Sequence, residues 1–150
     1  MLRKARQDDV RFIHGLLAHY GEKGLLLARP LTGIYDFLRD FVIAEDDAGK
    51  PVGCCALHIC WDNLCEVRSL AVDPGVQGRG WGSRLVESCL SDAITLGFQR
   101  IFVLTYRPDF FARLGFKEVE KQLLPNKVWA DCVRCVKFPD CDEIAMLLEL

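Results

Sequence analysis

The sequence has no stretch of about 18 uncharged apolar residues, the least that spans a bilayer as a helix, so no membrane span is expected. It also lacks a block of lysine and arginine. Its 19 basic residues face 21 acidic ones, a formal net charge of −2, so no nucleic-acid partner is expected. A local basic pocket remains compatible with that balance. Histidine is scarce: His14, His19 and His58 stand isolated and read as structural or exposed. Residues 1–6 lead into Asp8 and Asp9 and not into an apolar run, so no secretory leader is expected. Repeats and low-complexity tracts are missing too.

What is present suits a globular chain. Of 150 residues, 51% are apolar and 27% charged, too apolar for disorder and enough to bury one core. A single domain over residues 1–150 is expected. Eight cysteines without a leader point to a reducing, cytoplasmic setting. Cys54, Cys55, Cys60, Cys65 and Cys89 lie in apolar segments, where cysteine behaves as a small hydrophobe. Cys132, Cys135 and Cys141 carry one pair at metal-ligand spacing. Zinc, a disulfide and packed free thiols all stay open there, and no metal is assigned.

Periodicity and punctuation give the elements. Arg3 to Arg6 reads as a short strand. Asp8 and Asp9 suit the first turn of a helix whose apolar stripe is Val10, Ile13, Leu16, Leu17 and Tyr20. Thr32 is placed to cap a second helix with an apolar face of Ile34, Phe37, Leu38 and Phe41. Residues 41–45, 51–61 and 64–72 form three consecutive strands, separated by the turns 46–50 and 62–63, and are most simply antiparallel. Trp81, Leu85, Cys89 and Ala93 mark a long helix closed by Gly97. Residues 100–106 follow as a buried strand, which suggests a parallel crossover. A short helix at 110–114, a strand at 116–119 and a last strand at 144–150 complete the order.

The loop between strand and helix is the most informative segment. Gln77, Gly78, Arg79, Gly80, Trp81, Gly82 and Ser83 form a glycine-rich turn that opens a helix. Unpaired amides there converge at the positive end of the helix dipole and make an anion site, most often for phosphate. The segment is not a Walker loop, because Trp81 follows Gly80 where a lysine is needed. Nor is it the dinucleotide fingerprint, whose third glycine is replaced by Ser83.

Gln77-x-x-Gly80-x-Gly82, after Ser69-Leu70-Ala71-Val72-Asp73-Pro74, resembles the acetyl-CoA signature of the GNAT N-acetyltransferase superfamily. The segment from Phe110 and Phe111 to Gly115 and Phe116 resembles its second motif. Within the superfamily the chain is most similar to short N-acetylglutamate synthase-like proteins, through the segments 24–29, 56–59, 66–72, 102–106 and 127–132. The resemblance implies an α+β fold with a mixed, splayed central sheet flanked by helices. It implies acetyl-CoA as cosubstrate, bound by Leu70, Ala71, Val72, the residues from Gln77 to Ser83, and Phe110 and Phe111. It also implies a small amine acceptor, with a homodimer left open.

Acetyl transfer to an amine needs a base, because the amine is protonated at neutral pH. Glu66 is the candidate, aligning with the superfamily's catalytic glutamate; a solvated glutamate paired to Arg68 is the alternative. Val67 has odd parity while Leu70 and Val72 are even, which suggests a β-bulge between them. In the superfamily that the chain resembles, such a bulge opens a gap for the pantetheine arm, which implies that the amides near Leu70 and Val72 face the thioester oxygen. Phe111 stands where many members carry an acidic tyrosine; Tyr106 is the substitute candidate, or else a packing residue. Arg29, Arg68 and Arg107 are candidates for the carboxylates of a glutamate-like acceptor. The expected reaction is direct acetyl transfer to the α-amine of glutamate or a related amino acid. Protein N-terminal or lysine acetylation and a non-catalytic CoA-binding module remain alternatives.

Overall fold

The computed structural model describes residues 1–125 and 142–150. Strand β1 (Leu2–Lys4) leads through a 3₁₀ turn (Gln7–Asp9) into α1 (Val10–Glu22) and α2 (Leu31–Asp36). Strands β2 (Phe41–Glu45), β3 (Pro51–Trp61) and β4 (Leu64–Val72) follow, then α3 (Trp81–Thr95), β5 (Arg100–Thr105), α4 (Pro108–Arg113), β6 (Lys117–Glu118) and β7 (Ile144–Glu149). They build one seven-stranded sheet in the order β1-β2-β3-β4-β5-β7-β6, antiparallel except where β4 meets β5. The architecture is the expected α+β one, a mixed sheet with helices on both faces.

The two faces bury different sets. Leu85, Val86, Cys89 and Ala93 of α3 pack on Cys55, Leu57, Cys65 and Val67. The α1 stripe Val10, Ile13, Leu16, Leu17 and Tyr20 packs on Ile43, Cys54, Ala56 and Ala71. The three meander strands begin and end where the turns predict. Gly49 supplies the positive φ of the first turn and Asn63 that of the second.

Four local expectations are corrected. The first strand stops at Lys4, because the Arg6 amide turns to donate to the Asp9 carboxylate at 2.7 Å. Asp9 thereby closes a 3₁₀ turn ahead of α1 instead of lying in its first turn. The second helix is capped at Pro30, not Thr32, and ends at Asp36. Phe37, Leu38 and Phe41 therefore leave its face, and only Ile34 is buried from it. The strand expected at 116–119 shortens to Lys117–Glu118.

Strand β4 carries the feature that positions the site. Cys54 pairs with Ala71 and Ala56 with Arg68, so Ser69 and Leu70 face the single residue Cys55 across the ladder. This is the β-bulge read from the parity change, with Ser69 at φ +57°. On its far side β4 pairs with β5 only at Cys65 with Ile101 and Glu66 with Phe102. Past Glu66 the two parallel strands part.

Candidate active site

The parted strands open a cavity of about 1350 Å³. Val67, Leu70, Ala71 and Val72 of β4 line it, as do Val103, Leu104 and Thr105 of β5. Gln77, Gly78, Gly80, Gly82 and Ser83 line it from the glycine-rich turn, and Phe110 and Phe111 from α4. Arg29, Arg68, Arg107, Glu66 and Tyr106 line it as well. Arg79 and Trp81 do not. Arg79 is exposed, and Trp81 packs on the α3 core with the Arg84 guanidinium 4.6 Å above its ring.

The turn has the properties that a phosphate cradle needs. Gly78 and Gly80 sit at φ +80° and +82°, where an L side chain is strained. A Cβ on either would meet no atom within 4 Å, so the backbone there is open to an approaching group. At Gly82 a Cβ would come within 3.4 Å of the Phe110 ring. Helix α3 begins at Gly80 with no side-chain cap, leaving its first amides for an outside acceptor. The cavity runs from this turn past Leu70 and Val72 to Glu66, and its volume and lining fit a phosphorylated thioester carrier.

Tyr20, read from the sequence as core, has a second role. Its hydroxyl donates to the Val72 carbonyl and accepts from Gln77 Nε2. It thus ties α1 to the end of β4 and to the glycine-rich turn. The hydroxyl is invisible to a hydrophobic stripe, which counts tyrosine only as apolar bulk.

Glu66 sits at the last pair before the strands part, in a half-buried position. Burial raises its pKa above the ordinary carboxylate range, and Glu143 pushes the same way. Arg68, Arg29 and His58 oppose the rise without cancelling it. Arg68 Nη1 lies 3.6 Å from Glu66 Oε1. Tyr106 donates its hydroxyl to Asp142 Oδ1 at 2.7 Å. Phe111 is buried against Phe110 and Phe116 and offers no proton.

His58 is not isolated. It faces Glu66 across the β3–β4 ladder, and its Nδ1 lies 2.9 Å from Asp40 Oδ2. Counting back from the 62–63 turn would set Ile59 opposite Glu66. An extra residue at Cys60 shifts the register by one, and no parity signal in the sequence marks it.

Among the described residues no cluster of three or more histidine, cysteine or acidic side chains is arranged to hold a metal. Cys132, Cys135 and Cys141 lie outside the described residues, as does the segment around Trp129. Among those described, no helix is long and apolar enough to cross a membrane.

Comparison with known proteins agrees with the geometry. Residues 12–116 match the acetyltransferase (GNAT) family. An uncharacterised N-acetyltransferase of Chlorobaculum tepidum is 40% identical over 149 residues, covering 99% of this chain and 96% of that one. An amino-acid acetyltransferase of Mycobacterium tuberculosis is 41% identical over 136 residues, 89% of this chain and 78% of that one. The N-acetylglutamate synthase of Neisseria gonorrhoeae, solved with coenzyme A and N-acetyl-glutamate, superposes with a TM-score of 0.87 at 27% identity. That match covers 100% of this chain and 35% of the larger enzyme. With its bulged strand, its parted sheet and its glycine-rich turn, the chain belongs to the GNAT family and is an acetyl-CoA-dependent N-acetyltransferase.

Proposed function

We propose that the acceptor is a free amino acid, glutamate or a close relative, and that its α-amine attacks acetyl-CoA directly with Glu66 as general base. The observation that carries this reading is the placement of Glu66. Its carboxyl stands where β4 and β5 part, and its proton affinity is raised toward neutral pH. A carboxylate with ordinary acidity would be a poor acceptor for an ammonium proton. Arg29 and Arg68 lie within electrostatic reach of Glu66, and Arg107 lines the same cavity. Bidentate guanidinium groups suit the two carboxylates of a glutamate-like acceptor. The names of the mycobacterial and gonococcal relatives point the same way.

The residues then divide the work. The amides of Gln77, Gly78, Gly80, Gly82 and Ser83 hold the pyrophosphate, while Phe110 and Phe111 flank the arm. The amides near Leu70 and Val72 stabilise the negative charge that develops on the thioester oxygen. Acetyl-CoA supplies an activated acyl group whose leaving group is a thiolate. Glu66 takes one proton from the acceptor ammonium, the amine nitrogen forms the new C–N bond, and the C–S bond breaks. The second amine proton neutralises the departing sulfur. A thiol pKa near ~8.5 makes a dedicated acid unnecessary, which fits a phenylalanine at 111 and a Tyr106 hydroxyl already given to Asp142.

Thiol release from acetyl-CoA, measured across the amino acids and a set of peptides, tests the acceptor. Glutamate or glutamine is expected to give the highest kcat/KM. Turnover with peptides and none with free amino acids would overturn the proposal.

A further inference from the structure

A base that takes a proton in every cycle must also lose it, and the Glu66 carboxyl is half-buried, with 13% of its side chain exposed. The side chain across the ladder is His58. Directly opposed residues on antiparallel strands hold their Cβ atoms about 5 Å apart, and with no direct hydrogen bond between these two side chains one water suffices to bridge them. Both line the cavity. Asp40, from the 3₁₀ turn Leu38–Asp40 that precedes β2, engages Nδ1 of the imidazole at 2.9 Å. Phe37 packs edge-on against the same ring at 5.0 Å, so the imidazole is fixed from a second direction. With Nδ1 taken, Nε2 is the nitrogen left for exchange.

We propose that His58, oriented by Asp40, is a positioning residue that resets Glu66 by relaying its proton to water. The acceptor ammonium gives one proton to the Glu66 carboxylate. The protonated carboxyl passes it through a bridging water to Nε2 of neutral His58. The imidazolium so formed is balanced by Asp40 and releases the proton to solvent at the cavity mouth. One proton moves in each step and no electrons do. Of the charges facing this pair, Asp40 lies against His58, and Arg68 and Arg29 act on Glu66. Glu143 acts on Glu66 from the β7 side.

The proposal rests on Glu66 as the base, and its test separates the two. The kcat–pH profile is measured by thiol release for the unaltered protein, Glu66→Gln, His58→Ala and Asp40→Asn, with and without added imidazole. His58→Ala is expected to lose at least ~10-fold in kcat, with the KM for acetyl-CoA held within about twofold. Free-base imidazole should restore turnover in proportion to its concentration. Asp40→Asn keeps the ring but weakens the contact that orients it, so kcat should fall severalfold with the KM for acetyl-CoA unchanged. Unchanged kcat in His58→Ala would overturn the relay. So would a loss that imidazole does not restore in a protein with unaltered circular dichroism. Should His58→Ala fail to fold, an unchanged kcat in Asp40→Asn overturns it instead. If Glu66→Gln turns over normally, the base reading falls and the relay with it. If Glu66→Gln is slow while His58→Ala is not, the relay alone falls.

Discussion

At the scale of single residues, Glu66 sets stability against activity. Its folded-state pKa is raised mainly by burial, so its charged form is the one that the fold disfavours. The sign follows from linkage. A raised pKa contributes stability that is fully present below the unfolded value, near ~4.3, and is lost as pH rises through the folded value. At neutral pH the ionised carboxylate therefore works against folding. Glu66→Gln removes that cost and leaves a polar group facing Arg68, 3.6 Å away in the native pair. The variant is expected to melt above the unaltered protein at pH 7, with the difference vanishing below about pH 4. Its kcat should fall by ~10²–10⁴ at the same time. Parallel melting curves and rate measurements check both, and a variant that melts lower at pH 7 would contradict the account.

At the scale of elements, the bulge in β4 and the turn before α3 act together: one opens the sheet and the other caps the opening. Gly80→Ala probes the turn. Its Cβ meets nothing within 4 Å, so no clash is involved, but φ +82° is a left-handed position that costs a non-glycine residue about 1–2 kcal/mol. If the turn relaxes to relieve that strain, its amides lose their convergence. The expected result is a roughly tenfold rise in the dissociation constant for coenzyme A by calorimetry. The amino-acid KM should stay unchanged. Equal coenzyme affinity in the variant would remove the turn from the binding account. These elements were legible because punctuation and parity both leave marks in the sequence. Turns such as Asp46 to Lys50 fixed the strand ends, and the parity slip between Val67 and Leu70 exposed the bulge. Side-chain partners left no such marks. Pro30 capping in place of Thr32, the Tyr20 hydroxyl bridging to Val72 and Gln77, and the shift at Cys60 that sets His58 against Glu66 all depend on tertiary placement. Local propensity does not encode them.

At the scale of the whole molecule, α1 is fastened at both ends, and one end reaches the cavity. Near its start, Arg3 Nη1 and Nη2 donate to Asp9 at 2.7 and 2.9 Å, and Arg3 Nε donates to Glu45 Oε1 at 2.7 Å. Near its finish, Tyr20 holds the Val72 carbonyl and Gln77. The first fastening joins β1, the entry to α1 and the end of β2; the second joins α1 to the strand and turn that border the cavity. Asp9 is almost wholly buried and takes a third bond from the Arg6 amide. The Arg3 guanidinium is the main cause holding its pKa below the ordinary value, and burial works the other way. A depressed pKa contributes stability that is present above the unfolded value, near ~3.9, and lost as pH falls toward the folded one. Asp9→Asn leaves the half-buried Arg3 with a neutral partner at its Nη1 and Nη2 and only Glu45 as a charged one, which should cost about 2–3 kcal/mol at pH 7. For a chain of this size that is a fall of roughly 5–10 °C in Tm. The gap between variant and unaltered protein should narrow below about pH 4, as the native carboxylate itself takes up a proton. A gap that stays constant from pH 7 to pH 3 would mean that the Asp9 charge contributes nothing. The first fastening would then act through shape alone.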